Sequence, residues 1–135
     1  MKNILVIEDE QAINDLIKEM LKAEGYQVDS AYDGLQGMFL FKENKYDLII
    51  CDIMMPHMDG YEVVKKIREE DKYINIIMLS ALDQEYDELK GFDLGVDDYI
   101  AKPFSSRLLI KRVNALFNKQ QNNKLKDDLK KIFRE

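Results

Sequence analysis

Cysteine is almost missing from this chain. Cys51 is the only one among 135 residues, and His57 is the only histidine. A single thiol closes no internal disulfide, and no second Cys or His stands at ligand spacing for zinc. The expected setting is a reducing cytoplasm. No apolar run reaches the roughly 18 residues of a membrane span, and Met1-Lys2-Asn3 leads straight into a short strand pattern instead of a signal peptide. No membrane partner is expected. Cations are also scarce where it matters: residues 1–118 hold 14 Lys/Arg against 23 Asp/Glu, while residues 119–135 hold 6 against 3. An acidic body argues against broad contact with nucleic acid, because such binding needs cations to displace phosphate counterions. What remains, 46% hydrophobic and 34% charged residues in one domain's length, is the composition of a globular protein. A chain of this size buries roughly 65 to 70% of its unfolded surface without staples.

Two hydrophobic periods alternate along that body. "ILVI" (4–7), "LIIC" (48–51) and "IIML" (76–79) are short apolar runs without alternation, the pattern of parallel strands covered on both faces. "YQVDSA" (26–31) and "DYIA" (98–101) read as two further strands. Between them Ile13, Leu16, Ile17, Met20 and Leu21 follow helical spacing, with Gly25 as the stop. Met38, Leu40 and Phe41 fall in a second helix. Val63, Val64 and Ile67 fall in a third, which opens with Asp59 and Glu62 at capping-box spacing. A fourth helix is expected from about Asp83 to Leu94, and a fifth from about Ser105 with Leu109, Val113, Leu116 and Phe117. Five strands alternating with five helices predict an α/β fold, a doubly wound five-stranded parallel sheet of (βα)5 form.

In such sheets the ligand crevice lies beyond the carboxyl ends of the strands. The residues found there are Glu8, Asp9 and Glu10 after the first run, Asp52 after the third, Ser80 after the fourth, and Lys102 with Pro103 after the fifth. Each alone has an ordinary explanation: an acidic first helical turn, a turn cap, a turn serine, a surface lysine. Their coincidence at one sheet edge is what carries weight. Clustered carboxylates raise one another's pKa unless a cation sits among them. Hard oxygen ligands with room for water suit Mg²⁺. Between that ion and the ammonium of Lys102, Asp52 is placed as a nucleophile toward an incoming phosphoryl group. The chemistry expected is phosphorylation of a carboxylate.

Over residues 2 to about 118 the sequence resembles the receiver domain of bacterial two-component response regulators, through "VIEDE", "CDIMMPHMDG", "LSA" and "GVDDYIAKPF" in that order and spacing. The resemblance implies a flavodoxin-like strand order 2-1-3-4-5, with residues 1–118 as the receiver and 119–135 as a basic linker or short C-terminal helix. It implies Asp52 as phosphoacceptor, Asp9 as a direct Mg²⁺ ligand, Glu8 as a ligand through water, and the backbone carbonyl of Met54 completing the set, with Mn²⁺ as the alternative ion. Lys102 would pair with the phosphoryl group, and the Lys102–Pro103 bond is expected to be cis. Ser80 would donate its hydroxyl to the phosphate, and Tyr99 matches the aromatic that turns inward in response. The partner implied is a sensor histidine kinase. The domain would be a phosphoacceptor, not a turnover enzyme. Met54 and Leu82 occupy the positions that govern phosphoryl lifetime in the family. Both are apolar, so slow self-hydrolysis is expected.

The stretch from Gly91 to Phe117 resembles the face through which the winged-helix transcription-factor branch pairs on phosphorylation, with Lys90, Asp97, Asp98, Lys111 and Arg112 as local candidates for a homodimer surface. That branch usually carries an acid where this chain has Leu108, which removes one expected salt bridge. Seventeen residues after Asn118 cannot hold a winged helix, so DNA contact would need an effector domain outside this sequence. The alternative is a single-domain regulator acting by protein contact. A Mg²⁺-dependent aspartyl phosphohydrolase of similar architecture fits less well, because its second acid, two residues after the nucleophile, is here Met54. Dinucleotide binding fits worse, since "EDEQAI" stands where a glycine-rich loop is needed.

Overall fold

The computed structural model describes residues 1–81 and 94–134. Strands β1 (Asn3–Ile7), β2 (Gln27–Ala31), β3 (Leu48–Asp52), β4 (Asn75–Ala81) and β5 (Asp98–Lys102) form one parallel sheet in the order β2-β1-β3-β4-β5. Uninterrupted apolar runs become the inner strands because these strands are covered on both faces: Ile4 to Ile7 and Leu48 to Cys51 have no exposed surface. Each fully buried Ile or Leu contributes about 1.5–3 kcal/mol relative to exposure. β4 extends beyond the apolar "IIML" at both ends, because Asn75 and Ser80 are buried polar residues that continue the ladder.

Helices α1 (Gln11–Ala23), α2 (Gly34–Glu43) and α3 (Gly60–Glu70) lie between the strands. α2 and α3 pack with Leu5, Ile7, Ala31, Ile49, Cys51, Ile76 and Met78 in one cluster through Met38, Val63, Val64 and Ile67. α1 packs on β1 and β2 and buries Ile17 and Leu21, while Leu16, on its apolar row by spacing, is half exposed. α2 and α3 start on aspartate caps: Asp33 accepts from Gln36 N at 2.7 Å and Asp59 from Glu62 N at 3.0 Å. α1 is stopped at Gly25, whose φ of 96° is one that glycine adopts without steric penalty.

The chain divides into two compact units, Met1–Phe104 and Ser105–Glu135. The second unit is dominated by one helix, Ser106–Arg134. It passes through Asn118 without a break, since no Gly or Pro follows Phe104. Leu109, Val113 and Phe117 are buried along it, whereas Leu125, Leu129, Ile132 and Phe133 are exposed. The helix expected over about Asp83 to Leu94, with Leu82 and Lys90, falls on residues 82–93, outside the described residues. Among the described residues no helix is long and apolar enough to cross a membrane.

Candidate functional site

Strand register assembles the site. β1 pairs with β3 so that Ile7 lies opposite Cys51, and the next residues are Glu8, the first past β1, and Asp52, the last of β3. Asp52 is level with Leu79 on β4, the residue before Ser80, and Ala81 is level with Lys102 on β5. Each candidate side chain thus lies within two residues of the carboxyl end of a strand, where the ladder ends.

The carboxylates of Glu8, Asp9 and Asp52 each offer an oxygen within 4.8 Å of the others. Glu8 is wholly buried and Asp52 nearly so. The ammonium of Lys102 bonds to Glu8 Oε1 and lies 3.1 Å from Asp52 Oδ2. With all three carboxylates ionised, one ammonium leaves an excess of two negative charges in a half-closed place. Burial is the main cause that pushes the Glu8 carboxyl up to about 8; the bond from Lys102 pulls the other way and the neighbouring Asp52 adds to the rise. Burial works to lower Lys102, but its bonds to Glu8 and the charge of Asp52 outweigh that and hold the ammonium above its ordinary range. An oxygen-rich cluster short of two positive charges has the donor chemistry of a hard divalent cation, and the residues present fit Mg²⁺.

The loop after β3 is held tightly. Ile53 N donates to Leu79 O at 3.0 Å and Gly60 N to Ile53 O at 2.8 Å, which seats the start of α3 against the end of β3. A Cβ at Gly60 would stand 2.2 Å from Asp52 O and 2.8 Å from Ile53 Cα, so only glycine allows this approach. Gly60 was visible in the sequence as "DG", a turn signal that gave no hint of what it touches. Met54 lies in this loop and is exposed, Met55 is buried, and His57 is exposed with φ 69°. Cys51 is buried, and burial followed by the negative charge of Asp52 raises its thiol well above the ordinary range.

Ser80 is buried at the end of β4, and the Lys102–Pro103 bond is cis. Tyr99 is partly buried against the cluster beneath α2 and α3. Asp97 is bound within its own unit: its carboxylate accepts from Ile76 N at 2.7 Å and lies 3.6 Å from Arg68 Nη2, while its N–H donates to Ile76 O at 2.9 Å. Asp98 Oδ1 accepts from Tyr99 N at 2.8 Å. Lys111 and Arg112 are exposed on the C-terminal helix. Sequence reasoning missed two features: the direct bond between Lys102 and Glu8, and Asn14, which holds Glu8 from behind through its carbonyl at 3.0 Å.

Comparison with known proteins agrees with this geometry. The family model of the response regulator receiver domain matches residues 4–114. The receiver domain of the Francisella response regulator 1452 is 38% identical, with a TM-score of 0.83, covering 89% of this chain and 99% of that one. Response regulator TrrA from Thermotoga maritima, solved in complex with Mg²⁺ and BeF, is 39% identical, with a TM-score of 0.78 and coverage of 86% and 99%. Vibrio cholerae chemotaxis protein CheY4 is 29% identical, with a TM-score of 0.82 and coverage of 85% and 98%. With strand order, acidic cluster and family model in agreement, this chain belongs to the response regulator receiver domains.

Proposed function

We propose that Asp52 is the phosphoacceptor of a signalling domain, and that it takes the group from a sensor histidine kinase. The observation that best supports this is the burial of Asp52 beside the Lys102 ammonium, 3.1 Å away, within one cluster with Glu8 and Asp9. In this reading Asp9 and Asp52 hold Mg²⁺ directly, Glu8 through water and Met54 through its carbonyl, with Mn²⁺ as a substitute. The complex of the Thermotoga maritima relative with Mg²⁺ and BeF supports the same ion. When bound, the ion supplies the positive charge that lets two anions, carboxylate and phosphoryl group, approach each other.

An oxygen of Asp52 attacks phosphorus. The P–O bond forms as the P–N bond to the donor's imidazole breaks, and the electron pair departs on the ring nitrogen, which takes a proton. Lys102 turns from Asp52 to a phosphoryl oxygen as the acyl phosphate forms. The product brings roughly −1.5 to −2 charges and new acceptor oxygens. These draw in the Ser80 hydroxyl, and Tyr99 follows into the space it leaves. In this reading the switched state pairs two copies of the chain, and Lys90, Asp97, Asp98, Lys111 and Arg112 are the charged candidates that the sequence offers for that pairing. Its output is control of transcription through a winged-helix effector.

The test is phosphotransfer. A phosphorylated histidine kinase with Mg²⁺ should label the wild-type chain and not Asp52→Asn, and label on the variant would contradict the assignment. A small phosphodonor should yield at most one phosphate per chain on the acceptor timescale. Continuous turnover would point instead to a phosphohydrolase.

A further inference from the structure

We propose that Asn14 is a positioning residue for the acidic cluster: its buried amide fixes the backbone of Glu8, and through it the carboxylate that meets Lys102 and the cation. The proposal rests on the Mg²⁺-dependent reading given above.

Glu8 is the first residue past β1, where the ladder stops supplying partners. Its N–H still donates to Ala31 O at 3.0 Å, while its carbonyl lies past the last paired residue of β1. Asn14, in the first turns of α1, fills that gap. Its Nδ2 donates to Glu8 O at 3.0 Å and to Ala31 O at 2.8 Å, tying the ends of β1 and β2 to α1 through one side chain. Both backbone polar groups of Glu8 are therefore held, as are both carboxylate oxygens, Oε1 by Lys102 and Oε2 by Glu10 N at 3.3 Å. A short arm anchored at both ends has little freedom to wander.

Asn14 has no exposed surface, and its Oδ1 is buried with no hydrogen-bond partner. A side chain whose task was only to fill space would be apolar, since leucine has a similar shape and buries no orphan oxygen. The amide brings the two donors that the orphan oxygen accompanies. Asn14 also continues the buried row of α1, three residues before Ile17 and seven before Leu21, so a polar residue has been placed where helical spacing calls for an apolar one.

Mg²⁺ titration by calorimetry, paired with thermal melting of the metal-free chain, separates positioning from packing. Ile17→Ala, on the same face of α1 and also wholly buried, serves as the control. Both Asn14→Ala and Ile17→Ala should lower the melting temperature. Only Asn14→Ala should weaken Mg²⁺ binding by the folded protein, by about tenfold or more, as removing a group that orients a metal ligand does. If Asn14→Ala does not fold, Asn14→Ser takes its place, because one hydroxyl cannot reach both carbonyls, and the same loss is expected. Unchanged Mg²⁺ affinity in the Asn14 variant, or an equal loss in Ile17→Ala, would overturn the proposal. A wild-type chain that takes up no Mg²⁺ would overturn the functional reading beneath it.

Discussion

Lys102→Met removes the ammonium while keeping most of the apolar stem, and the consequence can be worked from the geometry. In the metal-free chain that ammonium bonds to Glu8 and lies 3.1 Å from Asp52, with the Glu8, Asp52 and Lys102 side chains 0%, 6% and 19% exposed. Removing one member of a pair this buried costs about 3–5 kcal/mol, because the remaining charges lose their compensation. For a domain of this size that is a fall in melting temperature of roughly 10–20 °C. The loss depends on pH. Glu8, raised by burial to about 8 although Lys102 pulls it down, rises further once the ammonium is gone and can take a proton instead of staying charged, so the penalty shrinks at acid pH and grows as the pH rises past that value. It also depends on metal. Mg²⁺ at a hundred times its Kd stabilises any folded binder by about 2.7 kcal/mol, and the variant should gain at least as much as the wild type, since the cation replaces the charge that was removed. Thermal melting followed by circular dichroism, with and without Mg²⁺ at two pH values, measures all three effects. A metal-free loss under about 1 kcal/mol, the worth of an exposed ion pair, would refute the reasoning, as would a variant that Mg²⁺ fails to stabilise.

Glu8 also gives the wild type a pH signature. Its folded pKa lies above its unfolded one, so between 4.5 and about 8 the folded chain holds a proton that the unfolded chain releases. The stability this group contributes is complete below 4.5 and is lost as pH rises through about 8. Glu8→Gln should flatten the metal-free stability profile in that window, and an unchanged profile would show that the group does not titrate there. Gly60→Ala forces a Cβ to within 2.2 Å of Asp52 O, a clash with backbone that no side-chain rotation relieves. It should cost about 2 kcal/mol or more and slow phosphoryl acceptance as well, and an unaltered melting temperature would count against the packing described. Met54, exposed in the loop after β3, is apolar and cannot position water, so the phosphoryl group should persist well beyond seconds when its loss is followed by intact mass. A lifetime of seconds would contradict that.

Much of the site was legible because its residues sit where periodicity breaks. Glu8, Asp52, Ser80 and Lys102 each follow an apolar run, and an apolar run covered on both faces is the plainest signal a parallel strand leaves. Strand ends and the inner row of α1 were less legible. Asn75 and Ser80 continue β4 past its apolar core, and Asn14 sits in the inner row of α1 while the apolar Leu16 faces out. Hydrophobic spacing ranks residues by type and cannot see that an amide is buried to hold a carbonyl. The bond between Lys102 and Glu8 joins residues 94 apart and leaves no local trace. The tail's basic composition suggested a separate linker. Helical spacing of Leu125, Leu129 and Ile132 also suggested a short helix there, and in the structure helix runs unbroken from Ser106 to Arg134, because nothing in that sequence stops a helix once started.

The central claim concerns where the phosphoryl group is attached. After phosphotransfer in Mg²⁺, borohydride reduction converts an aspartyl phosphate to homoserine, and peptide mass mapping then locates the altered residue. Homoserine is expected at position 52 and at no other. An unmodified Asp52 in a chain that carries phosphate, or modification mapped to another residue, would contradict it.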